Sequence, residues 1–385
     1  MTAIAHTRPA AGALAPTAVD IVPLAAVLAP DHMDDWERLR ARVASGSPFT
    51  RWAWLEAWSA SADAAEREAA VVVRALDGTG ALAAALPLVT RGERFRRVPA
   101  RALTWAFGDL GAPDHLDVLA ADGAPMDAIV DAIERLEWDV LRLDGIADDA
   151  TGAPRLLAAL ERRGYAASLR PQWVCPFTEL PDSWDAYLRT RSTARRKAIV
   201  TRERVLARDA TVALTMHDAS SFAPGWSAFL RLHDTRWNGQ GAFTERLDAL
   251  HRRFAASRAR DGALWLATLE VNGETAAAWY GFVEGDTLYF YQSGRADAWS
   301  KQSVGAVLHG KILRRAIEHG LRRIDFLRGE EAYKAQWSSG VRRTYQLVAF
   351  RRSARGRVLR LADRAARWRE QRAAAPPSPP VPDAP

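Results

Sequence analysis

The sequence predicts an α/β (α+β) chain of two tandem, related domains, each a mixed, mostly antiparallel sheet crossed by a helix. Three observations predict it. The order hairpin, strand, helix, strand occurs twice, over 70–143 and again over 264–327. The length, 385 residues, suits two domains, and 48% hydrophobic residues suffice for sizeable cores. In the second half a glycine-containing loop, Gln302-Ser303-Val304-Gly305-Ala306-Val307, joins a strand to a helix. Such a loop exposes backbone N–H groups at a helix N-terminus, where a pyrophosphate can sit.

In the first half, Trp52–Ala60 reads as helix. Ala70–Leu76 and Ala81–Val89 form a hairpin about Asp77-Gly78, and Arg94–Arg101 is a basic turn region. Leu103–Phe107 and His115–Ala120 follow as strands. Met126, Ile129, Val130, Ile133 and Leu136 share one helical face. Trp138–Leu143 is a strand, and Pro154–Arg163 a helix between an initiating proline and a terminating Gly164. The second half repeats the plan. Leu264–Val271 and Glu274–Val283 flank Asn272-Gly273, a type I′ signal. Strand Thr287–Gln292 leads through the glycine loop, with Ser303 placed to cap, into helix Val304–His319. Strands Arg322–Leu327 and Thr344–Phe350 complete it. The expected organisation is a disordered tail over 1–19, a degenerate domain over 20–170, a complete domain over 171–352, a basic helix over 353–372 and a Pro/Ala-rich disordered tail over 373–385. The first half has Gly108–Pro125 where the second has its short loop, so a pyrophosphate is expected in the second half only.

Composition narrows the classes. A single cysteine, Cys175, excludes a disulfide framework and a Cys-rich zinc site. Its apolar surroundings, Trp173 to Phe177, predict a buried thiol. His217-Asp218, His233-Asp234 and His309 lack metal-site spacing, and neither a serine-hydrolase elbow nor a phosphate-loop lysine motif occurs. No metal is expected. No run of 18 apolar residues occurs. The N-terminus lacks a charged region followed by an apolar one, so a tail rather than a signal peptide is expected. The net charge of +7 favours anionic partners. Fifteen tryptophans fit large cores or carbohydrate-like substrates. Two basic runs, Arg189 to Arg208 and Arg351 to Arg372, read either as solvated faces or as contacts for an anionic lipid headgroup, a lipid-linked sugar or tRNA.

Several segments together resemble the GNAT-type acyltransferases, in the double-domain branch of FemAB-like proteins and the CelD/BcsL-type acetyltransferase domain. They are Leu232-His233-Asp234-Thr235-Arg236-Trp237 with Gly239, Ala276 to Phe282, Tyr289-Phe290-Tyr291-Gln292-Ser293-Gly294, Ser303-Val304-Gly305, Asp325-Phe326-Leu327-Arg328-Gly329, and Tyr333-Lys334 with Trp337. The sequence departs from the family loop at Val307, where glycine or alanine is usual. The resemblance implies acetyl-CoA as donor, held at Tyr291, Gln292, Ser293, Gln302, Ser303, Val304, Gly305 and Ala306, with backbone N–H groups near Tyr291–Ser293 polarising the thioester carbonyl. It implies a base among Asp325, Glu330 and Glu331, and Tyr333 as acid toward the leaving thiolate. Arg236 and Trp237 would line the acceptor pocket, and Arg328 or Lys334 would hold phosphate or carboxylate. The residues also allow structural roles: Asp325 as a buried partner of Arg328, Arg236 and Trp237 as a stacked pair, His233 as a core histidine, Tyr289 and Tyr291 as core tyrosines. The implied function is cytoplasmic, possible membrane contact included: acyl transfer to a small-molecule or lipid-linked acceptor, a cell-envelope or exopolysaccharide precursor. The alternatives are an aminoacyl-tRNA-dependent transferase, the one case with a nucleic-acid partner, and a non-catalytic binding module.

Overall fold

The computed structural model describes residues 18–43, 46–108, 110–237 and 243–374. Of the tails expected over 1–19 and 373–385, residues 1–17 and 375–385 lie outside the described residues, whereas Ala18 and Val19 open a strand and Ala373 and Ala374 end a helix. The described strands are β1 Ala18–Pro23, β2 Val71–Leu76, β3 Leu82–Phe95, β4 Val98–Trp105, β5 Leu119–Ala120, β6 Val140–Ile146 and β7 Ala166–Glu179 in the first half. The second half has β8 Val212–His217, β9 Leu264–Val271, β10 Glu274–Glu284, β11 Thr287–Arg295, β12 Arg323–Asp325 and β13 Gly340–Phe350. They form one 13-stranded sheet in the order β1-β2-β3-β4-β6-β13-β7-β12-β11-β10-β9-β8, with β5 on β3.

The predicted repeat is present, but the halves share one sheet instead of forming a separate sheet each. Each half surrenders its long final strand to the other. β13 lies between β6 and β7, while β7 lies between β13 and β12. Residue 170, the expected joint, falls inside β7. Among the described strands only two pairs are parallel, β4 with β6 and β11 with β12, one in each half. The rest is antiparallel, so the predicted mixed, mostly antiparallel architecture holds.

Local chemistry explains the elements that match. Asn272 and Gly273 have φ of 51° and 82°, as a type I′ turn demands. The helix Val304–Glu318 buries Val304, Val307, Leu308, Ile312 and Ala316 along one face. The predicted basic turn region is instead a hairpin: β3 and β4 pair through Phe95 and Val98, with Arg96 and Arg97 at positive φ. The predicted strand Arg322–Leu327 stops at Asp325. There Leu327 turns to φ 55°, and its N–H donates to Asp325 Oδ1 at 2.8 Å. The helix expected over 353–372 is present as Ala354–Ala374. A helix over Glu245–Arg260, capped by Thr244, was not anticipated. Cys175 is buried, and desolvation drives its thiol pKa up, so it is inert.

Candidate active site

The site forms where β11 and β12 part. Their pairing ends at Tyr289 and Asp325. Beyond it, Phe326 N–H donates to Pro176 O at 2.9 Å and Gly329 N–H to Val174 O at 3.1 Å, so the chain stays with β7 and leaves β11. On its other edge β11 is bulged. Tyr280 pairs with Gln292 and Gly281 with Phe290, which leaves Tyr291 without a partner on β10. A bulge re-aims side chains and frees backbone groups. Here Phe290 and Ser293 face one cavity while Tyr291 and Gln292 face another.

The first cavity, about 340 Å³, is lined by Trp279, Phe290, Ser293, Ser303, Gly305 and Ala306, with Arg202, Arg295, His309 and Trp337 at its sides. Its mouth is the N-terminus of the helix Val304–Glu318. Ala306 and Val307 N–H donate to Ser303 O at 2.9 and 3.1 Å, while Val304 and Gly305 N–H have no backbone acceptor among the described residues. A Cβ on Gly305 would meet nothing nearer than Arg295 Cδ at 4.0 Å, so the approach to these N–H groups is open. Val307, the departure from the family pattern, is 4% exposed and packs inward, so its bulk does not narrow the mouth.

The second cavity, about 400 Å³, is lined by Gly111, Ala112, Asp114, Thr244, Tyr291, Gln292, Phe326, Arg328, Glu331 and Lys334. Tyr333 lines both cavities and is therefore where they meet. The loop of residues 110–115, from the first half, forms one wall. Tyr291 Oη donates to Gly111 O at 2.8 Å, and Arg328 Nε donates to Asp114 Oδ1 at 2.7 Å. His115 Nε2 lies 3.1 Å from Asp325 Oδ2.

Several predicted residues stand elsewhere than their proposed roles require. Asp325 is fully buried, lines neither cavity and pairs with His115 and Arg342, not with Arg328. Burial alone would raise its pKa, but His115 and Arg342 outweigh that and hold it below the usual carboxylate value. Glu330 is exposed and lines neither cavity. Gln302, the last residue of the 3-10 turn Asp297–Gln302, is exposed and does not line the first cavity. Ser303 lines the mouth but adopts φ 56° and makes no side-chain cap, so it does not act as the N-cap expected of it. Val304 is buried in the core. Arg328 is committed: it donates through Nη2 to Pro113 O at 2.5 Å and its guanidinium lies 3.4 Å over the Trp173 ring. Lys334 is committed too, donating to Arg328 O at 2.6 Å and pairing with Glu331 at 3.0 Å. Arg236 and Trp237 end the helix Phe222–Trp237; their side chains, and Gly239, lie outside the described residues. His233 is buried among aromatic rings, including Phe229 and Phe243.

Three residues escaped the sequence reading. Asp114 is buried in the wall of the second cavity; desolvation raises its pKa even against Arg328. His115 reaches the second half from the first. His309 is 5% exposed and lines the first cavity. Burial lowers its pKa to about 3, so it is neutral, and Trp279 Nε1 donates to its Nδ1 at 3.3 Å. The proton therefore sits on Nε2, which has no partner. The signal for His309 was its spacing, one turn past Gly305 on the same helix.

A larger open cleft lies where residues 33–53 meet the β10–β11 turn. Its ionisable groups pair among themselves, with Glu284 bound by Arg51 at 2.5 Å and Arg40 at 3.1 Å. It joins the halves, and His319 at its edge contacts the Arg315 carbonyl through Nδ1. No group of three or more His, Cys, Asp or Glu that could hold a metal ion occurs among the described residues, and no described helix is long and apolar enough to cross a membrane.

A parallel pair that splits, a bulge at the split and an open helix N-terminus beside it define a GNAT-type fold, here in double form. Residues 193–335 match the family described as the acetyltransferase (GNAT) domain, so the second half carries a GNAT-type domain. Among solved structures, FemX is similar at 10% identity and a TM-score of 0.56, over 83% of this chain and 96% of that one. L-PGS from Bacillus licheniformis is similar at 10% identity and 0.52, over 86% and 96%. The C-terminal domain assigned to a lysylphosphatidylglycerol synthetase of Agrobacterium fabrum is similar at 12% identity and 0.51, over 85% and 95%. These likenesses establish the double-domain fold. No curated protein matches the chain.

Proposed function

We propose that the protein transfers an acyl group, acetyl in the simplest case, from acyl-CoA to an amine or hydroxyl of a cell-envelope or exopolysaccharide precursor. The observation that carries this reading is the pair of cavities on opposite sides of the β11 bulge, joined at Tyr333. The donor pyrophosphate would sit on the N–H groups of Val304 and Gly305, with Arg202 and Arg295 beside it. The pantetheine arm would run toward Phe290, where His309 Nε2 offers a donor to one of its carbonyls. Backbone N–H groups freed at the bulge would polarise the thioester carbonyl. The acceptor would enter among Tyr291, Gln292 and Asp114, a mixed aromatic and polar lining suited to a sugar.

The reaction attaches the acyl carbon to the acceptor nitrogen or oxygen, breaks its bond to sulfur and moves the acceptor proton to the thiolate. Asp114 is the carboxylate we assign to take that proton, because it lines the acceptor cavity and burial raises its pKa above the usual carboxylate value. Tyr333 protonates the departing thiolate. Asp325 becomes a positioning group that fixes His115 and the 110–115 loop. This reading implies a cytoplasmic reaction. The test is release of free CoA thiol from acetyl-CoA with a panel of amino sugars and polyols. Tyr333→Phe should lower kcat about a hundredfold, within the range for a general acid, with KM for acetyl-CoA little changed. No thiol release with any acceptor, together with tight binding of aminoacyl-tRNA, would move the donor assignment to the tRNA alternative.

A further inference from the structure

The helix Ala354–Ala374 is built inside out for a surface helix. Its inner face holds a carboxylate and its outer face holds hydrocarbon. Inward, Leu359 is fully buried against Phe95, Val348 and Phe350. One turn later Asp363 is equally buried, bound by Arg170 Nη2 at 2.9 Å, Arg96 Nε at 3.2 Å and Arg367 Nε at 3.1 Å. Glu370 is taken up by Arg96 as well. Gly356 lies so close to the chain before it that a Cβ would stand 2.0 Å from Arg351 O. The helix is therefore seated firmly, and its rotation is fixed by paired charges.

Outward, Val358, Leu361 and Trp368 are 54%, 64% and 57% exposed. With Ala365 between them they follow a spacing of 3, 4 and 3, an arc of about 80° on one side of the helix. Arg357 and Arg364 flank that arc on one side and Arg369 on the other, all exposed. The helix carries seven arginines, and both of its acidic residues are used on the inner side. The solvent face is thus apolar along Val358, Leu361, Ala365 and Trp368, ends at Arg372, whose guanidinium stands 4.5 Å over the Trp368 ring, and is cationic at the rim.

We propose that this face is an interfacial docking surface for an anionic lipid bilayer. The charge distribution chooses among occupants. A second copy of the same face would bring like arginines together around the apolar stripe. A nucleic acid would engage the arginines but leave valine and leucine in water. A bilayer surface rich in anionic headgroups satisfies both parts: the stripe enters the headgroup–acyl boundary, Trp368 sits at that depth, and the arginines meet phosphates. This does not rest on the acyl-transfer reading.

The experiment is cosedimentation of the full chain with vesicles of phosphatidylcholine alone or mixed with phosphatidylglycerol. The protein should bind the mixed vesicles and be released by salt. The combined variant Arg357→Gln, Arg364→Gln, Arg369→Gln should bind about a hundredfold more weakly, from roughly fivefold per charge. The combined variant Val358→Ser, Leu361→Ser, Trp368→Ser should also lose binding while keeping its melting temperature, because these side chains point away from the core. Binding of both variants equal to the parent overturns the proposal. So does a dimer in sedimentation equilibrium that the serine variant dissolves, or retention on tRNA with no retention on mixed vesicles.

Discussion

The two halves contain the same parallel pair, yet only one of the two splits is open. In the second half, β11 and β12 pair over Thr287–Tyr289 and then part around a cavity. In the first, β4 and β6 pair over Ala102–Thr104 and then face a plug. Leu116 bridges Ile146, donating to Gly145 O and accepting from Ala147 N–H, each at 2.8 Å. Asp117 then accepts from the N–H groups of Val118, Thr151, Gly152 and Ala153 at 2.7–3.1 Å. The plug explains how the first half keeps its fold: it fills the split that its counterpart leaves open. The same segment has a second use. Its preceding residues cross over to the second half: Gly111, Ala112 and Asp114 wall the cavity beside Tyr291, and His115 reaches Asp325. The closed half completes the open one.

The difference can be broken from the open side first. Gly305→Glu should place a charged side chain against the two free N–H groups, with room for it and hence no loss of fold. Losing two charge-assisted hydrogen bonds of about 1.5–3 kcal/mol each weakens CoA by more than about a hundredfold. Undiminished calorimetric CoA binding by the folded variant would locate the donor elsewhere. From the closed side, Asp117→Ala should cost stability, about 2–4 kcal/mol for a buried carboxylate holding several N–H groups, and leave CoA affinity alone. A variant with unchanged melting behaviour but altered CoA affinity would contradict the division of roles.

A smaller effect sharpens the comparison through pH. His251 and His309, both in the second half, are buried with pKa values lowered to about 3 by desolvation. Their folded pKa lies below the unfolded value, so their contribution is present above about pH 6.5 and is lost as pH falls toward 3. Each should remove about 2 kcal/mol between pH 7 and 5. His309→Phe keeps a ring against Phe326 and should flatten that slope in melts. A slope unaltered by this substitution would mean that His309 is not neutral in the fold.

Much of the second half was legible because its signals are local. Asn272-Gly273 specifies its turn, and Val304 to Ala316 their buried face, whatever the rest of the chain does. The strand exchange was not, because Cys175 pairs with Arg342 and Leu169 with Leu347 across the whole second half. The site divided along the same line. Ser293, Gly305, Ala306 and Tyr333 reach the cavities from motifs continuous in sequence. Asp114 and His115 arrive from more than two hundred residues upstream of Asp325 and Arg328, in a stretch with no motif. Asp325 read as a candidate base because a strand end concentrates ionisable residues, whereas β12 ends so early that its carboxylate turns back to hold Leu327.

The central claim is that one split is open to an acyl donor and the other is plugged by its own chain. Hydrogen–deuterium exchange with and without CoA reads both at once. The account predicts slowed exchange over 290–310, with 102–106 and 116–130 unchanged. Protection of the first-half segments by CoA, or of neither half at saturating CoA, would contradict it.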